Sequence, residues 1–389
     1  MSDPSDITKP ASNRIRLDYL DGIRAICALA VLAGHMGDGN FYNSNHKAPP
    51  LLQYFVRYSV YDRLAVALFI VLSGYCLMLP LARSGTNQVQ GGILTFMKRR
   101  ARRILPPYYA AIVFSFFCAY FSPSSYKHAI MHSLYNWGFA AHLLLIHNLR
   151  SVWEFQIDGP LWSVATEWDI YWLFVFILLP ILRKSNITIT IISGLVIGLI
   201  PHFFFHKWLD AVAPWYLGIF AMGMGAALMS FSQDKRFQLL RERVRWKEIA
   251  GALFVSILLL IVFKPAALVA YPLYLLEPYW GISCACMLVY CTKIVQHKSL
   301  VPATNLVRVL EWPPLVKIGL FSYSLYLTHA PVIAVIHGYV VNLKLEPNLA
   351  TVYYWSLSIP ICILLAWVFH IGFERPFMNQ YQHKRTDTL

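Results

Sequence analysis

Charged side chains are scarce in this chain of 389 residues. Asp, Glu, Lys and Arg together make up 13% of the residues, whereas hydrophobic residues make up 58%. A soluble domain usually carries about 25% charged residues. The long polar stretches that a separate soluble domain would need are missing as well. The composition therefore excludes an ordinary soluble enzyme and predicts an integral membrane protein.

Cysteine and metal-binding motifs are missing too. The seven cysteines form no CxxC pair and no spacing typical of a disulfide framework. His128 and His132 are four residues apart, but no HExxH motif and no acidic partner in register accompanies them. We therefore expect no metal site.

Apolar runs fill most of the chain. Each has about 17–25 largely apolar residues, the length that crosses ~30 Å of hydrocarbon as an α-helix. The sequence predicts an all-α, polytopic membrane protein in which residues 17–372 form the transmembrane domain, with an N-terminal tail of 1–16 and a C-terminal tail of 373–389. About ten transmembrane helices are expected, at 17–38, 63–82, 104–122, 160–182, 187–205, 211–230, 248–264, 272–292, 318–341 and 350–372.

Lys and Arg are distributed unevenly between the loops. With ten spans both termini share one side, and the basic clusters at 98–103 and 235–247 fall on that side. The positive-inside rule then predicts that both termini are cytoplasmic. The net charge of +14 reflects this topology and contact with anionic lipids, rather than nucleic-acid binding. Histidines interrupt residues 123–159, which we predict to be an amphipathic, partly re-entrant segment on the outer face.

The first apolar run contains two ionisable residues, Arg24 and His35. An arginine within hydrocarbon costs about 2.5–3.5 kcal/mol on insertion scales, so such groups are typical of functional sites. His35 lies ~28 Å along the helix from Arg16, in the outer half of the membrane. A neutral imidazole there can take a proton from a hydroxyl, although a satisfied polar histidine is the alternative. Asp21 either pairs with Arg24 to lock the helix or leaves Arg24 to contact an anion.

A second cluster precedes the third predicted span. Five of the six residues from 98 to 103 are Lys or Arg, and Pro106 and Pro107 follow. Arg100 and Arg103 share one helical face and can clamp a phosphate bidentately. An ordinary positive-inside anchor is the alternative.

Further polar residues lie within the fourth and ninth spans. Glu167 is ~12 Å deep, at a depth comparable with His35, and we predict that it orients the imidazole or binds a sugar hydroxyl. Asp169 is the competing carboxylate on another face. Tyr326 and His329 lie on one face of the ninth span, where they either form interhelical hydrogen bonds or belong to the site.

Six motifs in this order resemble the membrane-bound acyltransferase family 3. They are Asp-Gly-x-Arg at 21–24 with its spacing to His35, Phe-Ile-Val-Leu-Ser-Gly-Tyr at 69–75, Arg-x-x-Arg at 100–103, Leu-Trp-Ser-x-x-x-Glu at 161–167, Tyr-Ser-Leu-Tyr-Leu-Thr-His at 323–329 and Glu-Arg-Pro at 374–376. Members often carry a second acid directly after the position of Glu167, where this chain has Trp168. This departure puts acceptor contacts at that position in doubt.

The resemblance implies an O-acyltransferase of the bacterial cytoplasmic membrane. It would take an acyl group, most often acetyl, from cytoplasmic acyl-CoA to a hydroxyl of a glycan or another acceptor on the outer side. The expected catalytic residues are Glu167 and His35, the latter as general base or as a transient acyl-imidazole nucleophile. The expected CoA-binding residues are Arg24, Arg100, Arg103 and Tyr108. The expected substrate-binding residues are Ser73, Trp162, Tyr326 and His329.

Two other classes of membrane protein share the span count. A transporter or flippase of lipid-linked sugars also carries intramembrane charges, but it needs no fixed nucleotide site, so the arginine pair favours the enzyme. A glycan polymerase or ligase typically has larger outer loops. Binding of labelled acetyl-CoA by purified protein separates the enzyme from both.

Overall fold

The computed structural model describes residues 16–37, 41, 62–123, 126–205, 209–263, 273–297 and 304–378. These residues form helices and no strand, which confirms the predicted all-α fold. The two predicted tails fall largely outside the described residues. Ten long helices, numbered here in chain order, are α1 Tyr19–Gly37, α2 Asp62–Ser84, α3 Gly92–Phe121, α4 Leu161–Lys184, α5 Ile187–Phe204, α6 Tyr216–Phe231, α7 Trp246–Phe263, α8 Leu273–Gln296, α9 Ser322–Asn342 and α10 Pro347–Phe369.

Among the described residues, every long helix except α8 is long and apolar enough to cross a membrane, with α6 counted from the preceding turn at Asp210. The chain is therefore a polytopic membrane protein. Helix α8 has 24 residues and carries two charged side chains, Glu277 and Lys293. A π-helical turn at Phe174–Leu178 interrupts α4, and a second at His370–Glu374 continues α10.

Shorter helices connect the long ones. The tract that we predicted to be re-entrant forms the helices Tyr126–Ser133, Gly138–Leu143 and Ser151–Glu154, none of which is long enough to cross a membrane. The remaining short helices are Lys235–Arg243, Asn305–Leu310 and Pro313–Leu320.

Helix α3 begins at Gly92, so it extends twelve residues beyond the N-terminal end of the span predicted at 104–122. Gly91 and Gly92 adopt a positive φ of 77° and turn the chain into the helix. The cationic stretch that follows is part of the helix, although its low hydropathy is not typical of a membrane-spanning helix. The helix also passes through Pro106 and Pro107, which is tolerated in membrane helices because neighbouring groups satisfy the freed carbonyls.

Helices α2 and α6 cross at a pair of glycines. A Cβ atom on Gly74 would collide with the carbonyl oxygen of Phe220, and a Cβ atom on Gly223 would collide with that of Val71. Small residues at such crossings let backbones approach closely, and this packing contributes to association where lipid supplies no hydrophobic driving force.

A buried hydroxyl cluster joins α1, α2 and α8. Thr292 Oγ1 lies 2.6 Å from the hydroxyl of Tyr19 and 2.6 Å from that of Tyr75. All three residues are fully buried. Their hydrogen bonds fix the relative positions of these three helices, of which α1 and α2 line the site described below.

The short helices after α3 pack against its second half. Tyr108 donates its hydroxyl to the carbonyl oxygen of His142 at 2.8 Å. The ring of His142 stacks on that of His147, with centroids 3.9 Å apart. Burial lowers the pKa of His142 to about 4, so its imidazole is neutral at physiological pH and needs no counter-charge.

We predict that Gly223→Ala destabilises the helix bundle. The added methyl group meets the Val71 carbonyl, and overpacking of this kind costs about 1–3 kcal/mol. Gly251→Ala is the matched control, since nothing lies within 4 Å of its added atom. The melting temperature of purified protein should fall for the first variant and not for the second. Equal changes in melting temperature in the two variants would contradict the close packing of α2 against α6 at Gly223.

Candidate active site

A cavity of about 150 Å³ lies between α1, α2, α3, α4 and α9. Its polar wall consists of three arginines, one carboxylate and a set of hydroxyl groups. These residues are Arg24, Ser73, Arg100, Arg103, Ser163, Glu167, Tyr171, Ser322, Tyr323 and Tyr326. The structure therefore brings together six of the ten residues that the sequence analysis selected, from five different helices.

The three arginines differ in their partners. Arg24 donates to Asp21 Oδ1 at 2.7 Å and to Cys76 Sγ at 3.0 Å, so the predicted pair within α1 exists. Arg100 and Arg103 form no ion pair with any residue in the described ranges, and the Nε atom of Arg100 is buried without a partner there. Two unpaired guanidinium groups on one face of α3 give the cavity a positive potential, which favours an anionic ligand.

A chain of hydrogen bonds crosses the cavity wall from α4 to α2. Tyr171 donates its hydroxyl to Glu167 Oε1 at 2.5 Å, and Ser73 Oγ lies 3.3 Å from the Tyr171 hydroxyl. Tyr171, one helical turn further along α4, thus orients Glu167. The sequence analysis missed Tyr171, although its i,i+4 spacing from Glu167 was visible.

The ring of Tyr326 connects the cavity to two histidines. Its hydroxyl lies 2.6 Å from Ser163 Oγ and donates to the carbonyl oxygen of Pro160 at 3.0 Å. The Tyr326 and His329 ring centroids are 5.9 Å apart, and those of His329 and His35 are 5.1 Å apart. His329 and His35 do not line the cavity described above. Tyr326 lines it, and its ring contacts lead to His329 and from there to His35.

Hydrogen bonds determine the tautomer of His35. Its Nδ1 lies 2.9 Å from the carbonyl oxygen of Val31, which can only accept, so Nδ1 carries the proton. By the same reasoning His329 carries a proton on Nδ1, because that atom lies 2.9 Å from the Tyr326 carbonyl oxygen. In a neutral imidazole the lone pair of His35 is then on Nε2, which has no partner among the described residues.

Asp62, the first residue of α2, provides a carboxylate beside His35. The distance from His35 Nδ1 to Asp62 Oδ2 is 3.4 Å, and the side chains of these two residues are 29% and 18% exposed. Gly34 makes this approach possible, since a Cβ atom there would collide with the Asp62 side chain. Among the described residues, Asp62 and His329 are the side chains whose polar atoms approach His35 Nδ1, each to 3.4 Å, so the orienting role predicted for Glu167 stays a prediction.

Comparison with known proteins now gives the family. A family model described as an acyltransferase domain matches residues 17–371. The chain belongs to acyltransferase family 3. It is 26% identical over 349 residues to a peptidoglycan O-acetyltransferase of Listeria monocytogenes, covering 81% of this chain and 49% of that protein. It is 26% identical over 385 residues to a putative peptidoglycan O-acetyltransferase of Bacillus subtilis, covering 93% of this chain and 55% of that protein.

A putative O-acetyltransferase of Staphylococcus aureus is 24% identical over 402 residues, covering 93% of this chain and 57% of that protein. The chain thus spans about half the length of the curated relatives it matches. No solved structure matches it.

Tyr108 and Trp162, like His35 and His329, lie outside the cavity lining of this acyltransferase-family chain. Tyr108 is fully buried, and its hydroxyl proton is engaged by the His142 carbonyl. Trp162 is covered by Arg63, whose guanidinium carbon lies 4.7 Å from the centre of the indole ring. Neither side chain lines the cavity, and their predicted ligand contacts stay predictions.

We predict that one cysteine of this family member reacts with small maleimides in the folded state. Cys76 lines the cavity and is half-buried, whereas the other six cysteines are buried. Peptide mass spectrometry after brief labelling should find Cys76 modified at least about tenfold faster than Cys284, because access limits thiol reactivity. Cys76→Ser is the control and should abolish the rapid labelling. Equally fast modification of Cys284 would argue against an accessible cavity.

Proposed function

We propose that this protein is an integral-membrane O-acyltransferase that transfers an acetyl group from acetyl-CoA to a hydroxyl group of a cell-wall glycan. The observation that carries the proposal is the cavity lined by Arg100, Arg103 and Tyr326, together with the ring contacts that lead from Tyr326 through His329 to His35. It joins an anion-binding cavity to a potential base. Family membership and the names of the relatives support acyl transfer over transport of a lipid-linked sugar.

The arginines are the proposed binding site for the phosphates of CoA. Arg100 and Arg103 have no carboxylate partner among the described residues, and guanidinium groups match phosphate geometry bidentately. Arg24, held by Asp21, adds a third positive charge at the same end of the cavity. Acyl-CoA is accordingly the proposed acyl donor. The proposed reaction uses no metal.

The extended arm of the donor would then run along α1 towards His35. Arg24 and His35 are eleven residues apart, which corresponds to about 16 Å of helix at 1.5 Å per residue. Ser73, Tyr171 and Tyr326 line the cavity and would offer hydroxyl groups to the amides of the arm. A small displacement of the Tyr326 ring would open the last part of the path.

Charge distribution supports the sidedness of the reaction. The arginines of the cavity are at the same end of the bundle as the basic clusters, which the positive-inside rule assigns to the cytoplasm. Both termini are then cytoplasmic, acyl-CoA enters from that side, and the acceptor reaches His35 from the outer side.

The proposed chemistry uses His35 as general base. The acceptor oxygen attacks the thioester carbonyl while its proton passes to His35 Nε2; the C–S bond then breaks and CoA leaves as a thiolate that takes up the proton. Asp62 faces the protonated Nδ1 and stabilises the imidazolium that forms. Attack by His35 itself, giving an acyl-imidazole, is the second candidate because Nε2 carries the lone pair in both cases.

We predict that Arg100→Ala combined with Arg103→Ala weakens acetyl-CoA binding by about tenfold or more, since hydrogen bonds to charged groups are worth about 1.5–3 kcal/mol. Arg99→Ala combined with Arg102→Ala is the matched control, because both side chains are exposed and neither lines the cavity. Binding of labelled acetyl-CoA to purified protein measures the effect. Full affinity in the first double variant would refute the phosphate site.

We predict that His35→Ala lowers kcat at least about 100-fold while acetyl-CoA binding and folding are retained, because general base catalysis contributes about 10²–10⁴-fold. His297→Ala, which removes an exposed histidine at the far end of α8, is the control. Acetyl transfer to glycan oligomers is measured with purified protein. Unchanged turnover after loss of His35 would exclude it from the mechanism.

A further inference from the structure

The first turn of α2, which begins with Asp62, is attached to α8 at two points. Arg63 Nε donates to Glu277 Oε1 at 3.1 Å. Trp280 Nε1 donates to the carbonyl oxygen of Leu64 at 2.8 Å. The two residues that follow Asp62 are therefore both held by a helix more than 200 residues away in the chain.

Glu277 is an unusual residue for a membrane helix. Its side chain is 0% exposed, and three groups donate to its carboxylate. Besides Arg63, these are Trp215 Nε1, 2.5 Å from Oε2, and the Tyr216 hydroxyl, 3.2 Å from Oε1. A buried carboxylate is expensive in hydrocarbon, and chains keep such groups mainly where a function needs them.

Arg63 is held on its other side as well. Its guanidinium lies over the Trp162 ring at 4.7 Å, which places it between α4 and α8. Glu154 is a second acid near Arg63, but burial raises the pKa of Glu154 to about 7, so about half of it is neutral at physiological pH. Glu277, whose Oε1 lies 3.1 Å from Arg63 Nε, is the acid in direct contact with Arg63.

We propose that the ion pair between Arg63 and Glu277 is a positioning device for the catalytic base. By fixing the first turn of α2, it holds the Asp62 carboxylate against His35 Nδ1 and so keeps Nε2 directed at the substrates. Trp215 and Tyr216 act through Glu277, and Trp162 acts through Arg63. This inference rests on the proposed role of His35 and gives Trp162 a supporting role instead of a ligand contact.

A double-mutant cycle tests whether Asp62 and Glu277 are coupled in catalysis. Glu277→Gln should lower kcat by about tenfold with little change in the KM for acetyl-CoA, because small misplacements of catalytic groups are costly. In the Asp62→Asn background the same substitution should cause no further loss. Arg63→Lys, which keeps the charge, should retain more activity than Arg63→Met. Independent, additive losses from Asp62→Asn and Glu277→Gln would overturn the proposal.

Glu242→Gln is the matched control for the cycle. It breaks the ion pair between Glu242 and Lys293. This ion pair also holds α8, but it lies at the end of that helix opposite to Glu277. Its kcat should equal that of the unmodified protein. If Glu277→Gln does not fold, Trp215→Phe takes its place, because it removes only the hydrogen bond to Oε2 and leaves the ion pair with Arg63.

A cross-linking experiment tests the geometry without any activity. His35→Cys and Asp62→Cys are combined in a Cys76→Ser background, and disulfide formation is followed by peptide mass spectrometry. Because disulfides require specific geometry, Glu277→Gln should slow their formation by about fivefold or more. An unchanged rate would overturn the positioning role. Absence of acetyl transfer by the unmodified protein would instead contradict the proposed function and leave this measurement valid.

Discussion

Charged side chains inside a membrane protein must find their partners within the protein, because hydrocarbon provides neither water nor counter-ions. Most charges in this chain obey that constraint through specific pairs. Arg24 pairs with Asp21 inside α1, and Arg63 pairs with Glu277 across the bundle. The contact of His35 with Asp62 is of the same kind, and it joins the end of α1 to the start of α2.

Arg100 and Arg103 are the exception among the cations that face the cavity. They form no ion pair with the described residues, although Glu167 is on the same cavity wall and bonds Tyr171 instead. Structural pairing thus accounts for the other intramembrane cations named above but not for these two. The difference is the physical reason for assigning them to an anionic ligand that the protein itself does not supply.

The two ends of the bundle are built for different tasks. At the arginine end the side chains converge on open space, which suits a ligand that enters and leaves. At the His35 end they converge on one another: Gly34 admits Asp62, and the residues after Asp62 are held by α4 and α8. Such rigidity suits proton transfer, since small displacements of a base are costly to the rate.

The sequence by itself determined the helical membrane fold and most of the spans, because the length of an apolar run and the Lys and Arg distribution are local properties. It also identified the shared face of Arg100 and Arg103, because helical spacing is local too. Hydropathy indicates only the apolar part of α3, whereas the helix itself extends back to Gly92 through the cationic residues. Only the tertiary structure decided which carboxylate meets His35. Asp62 and Glu277 come from other helices, and side chains that are distant in the chain meet only through the packing of all the helices together.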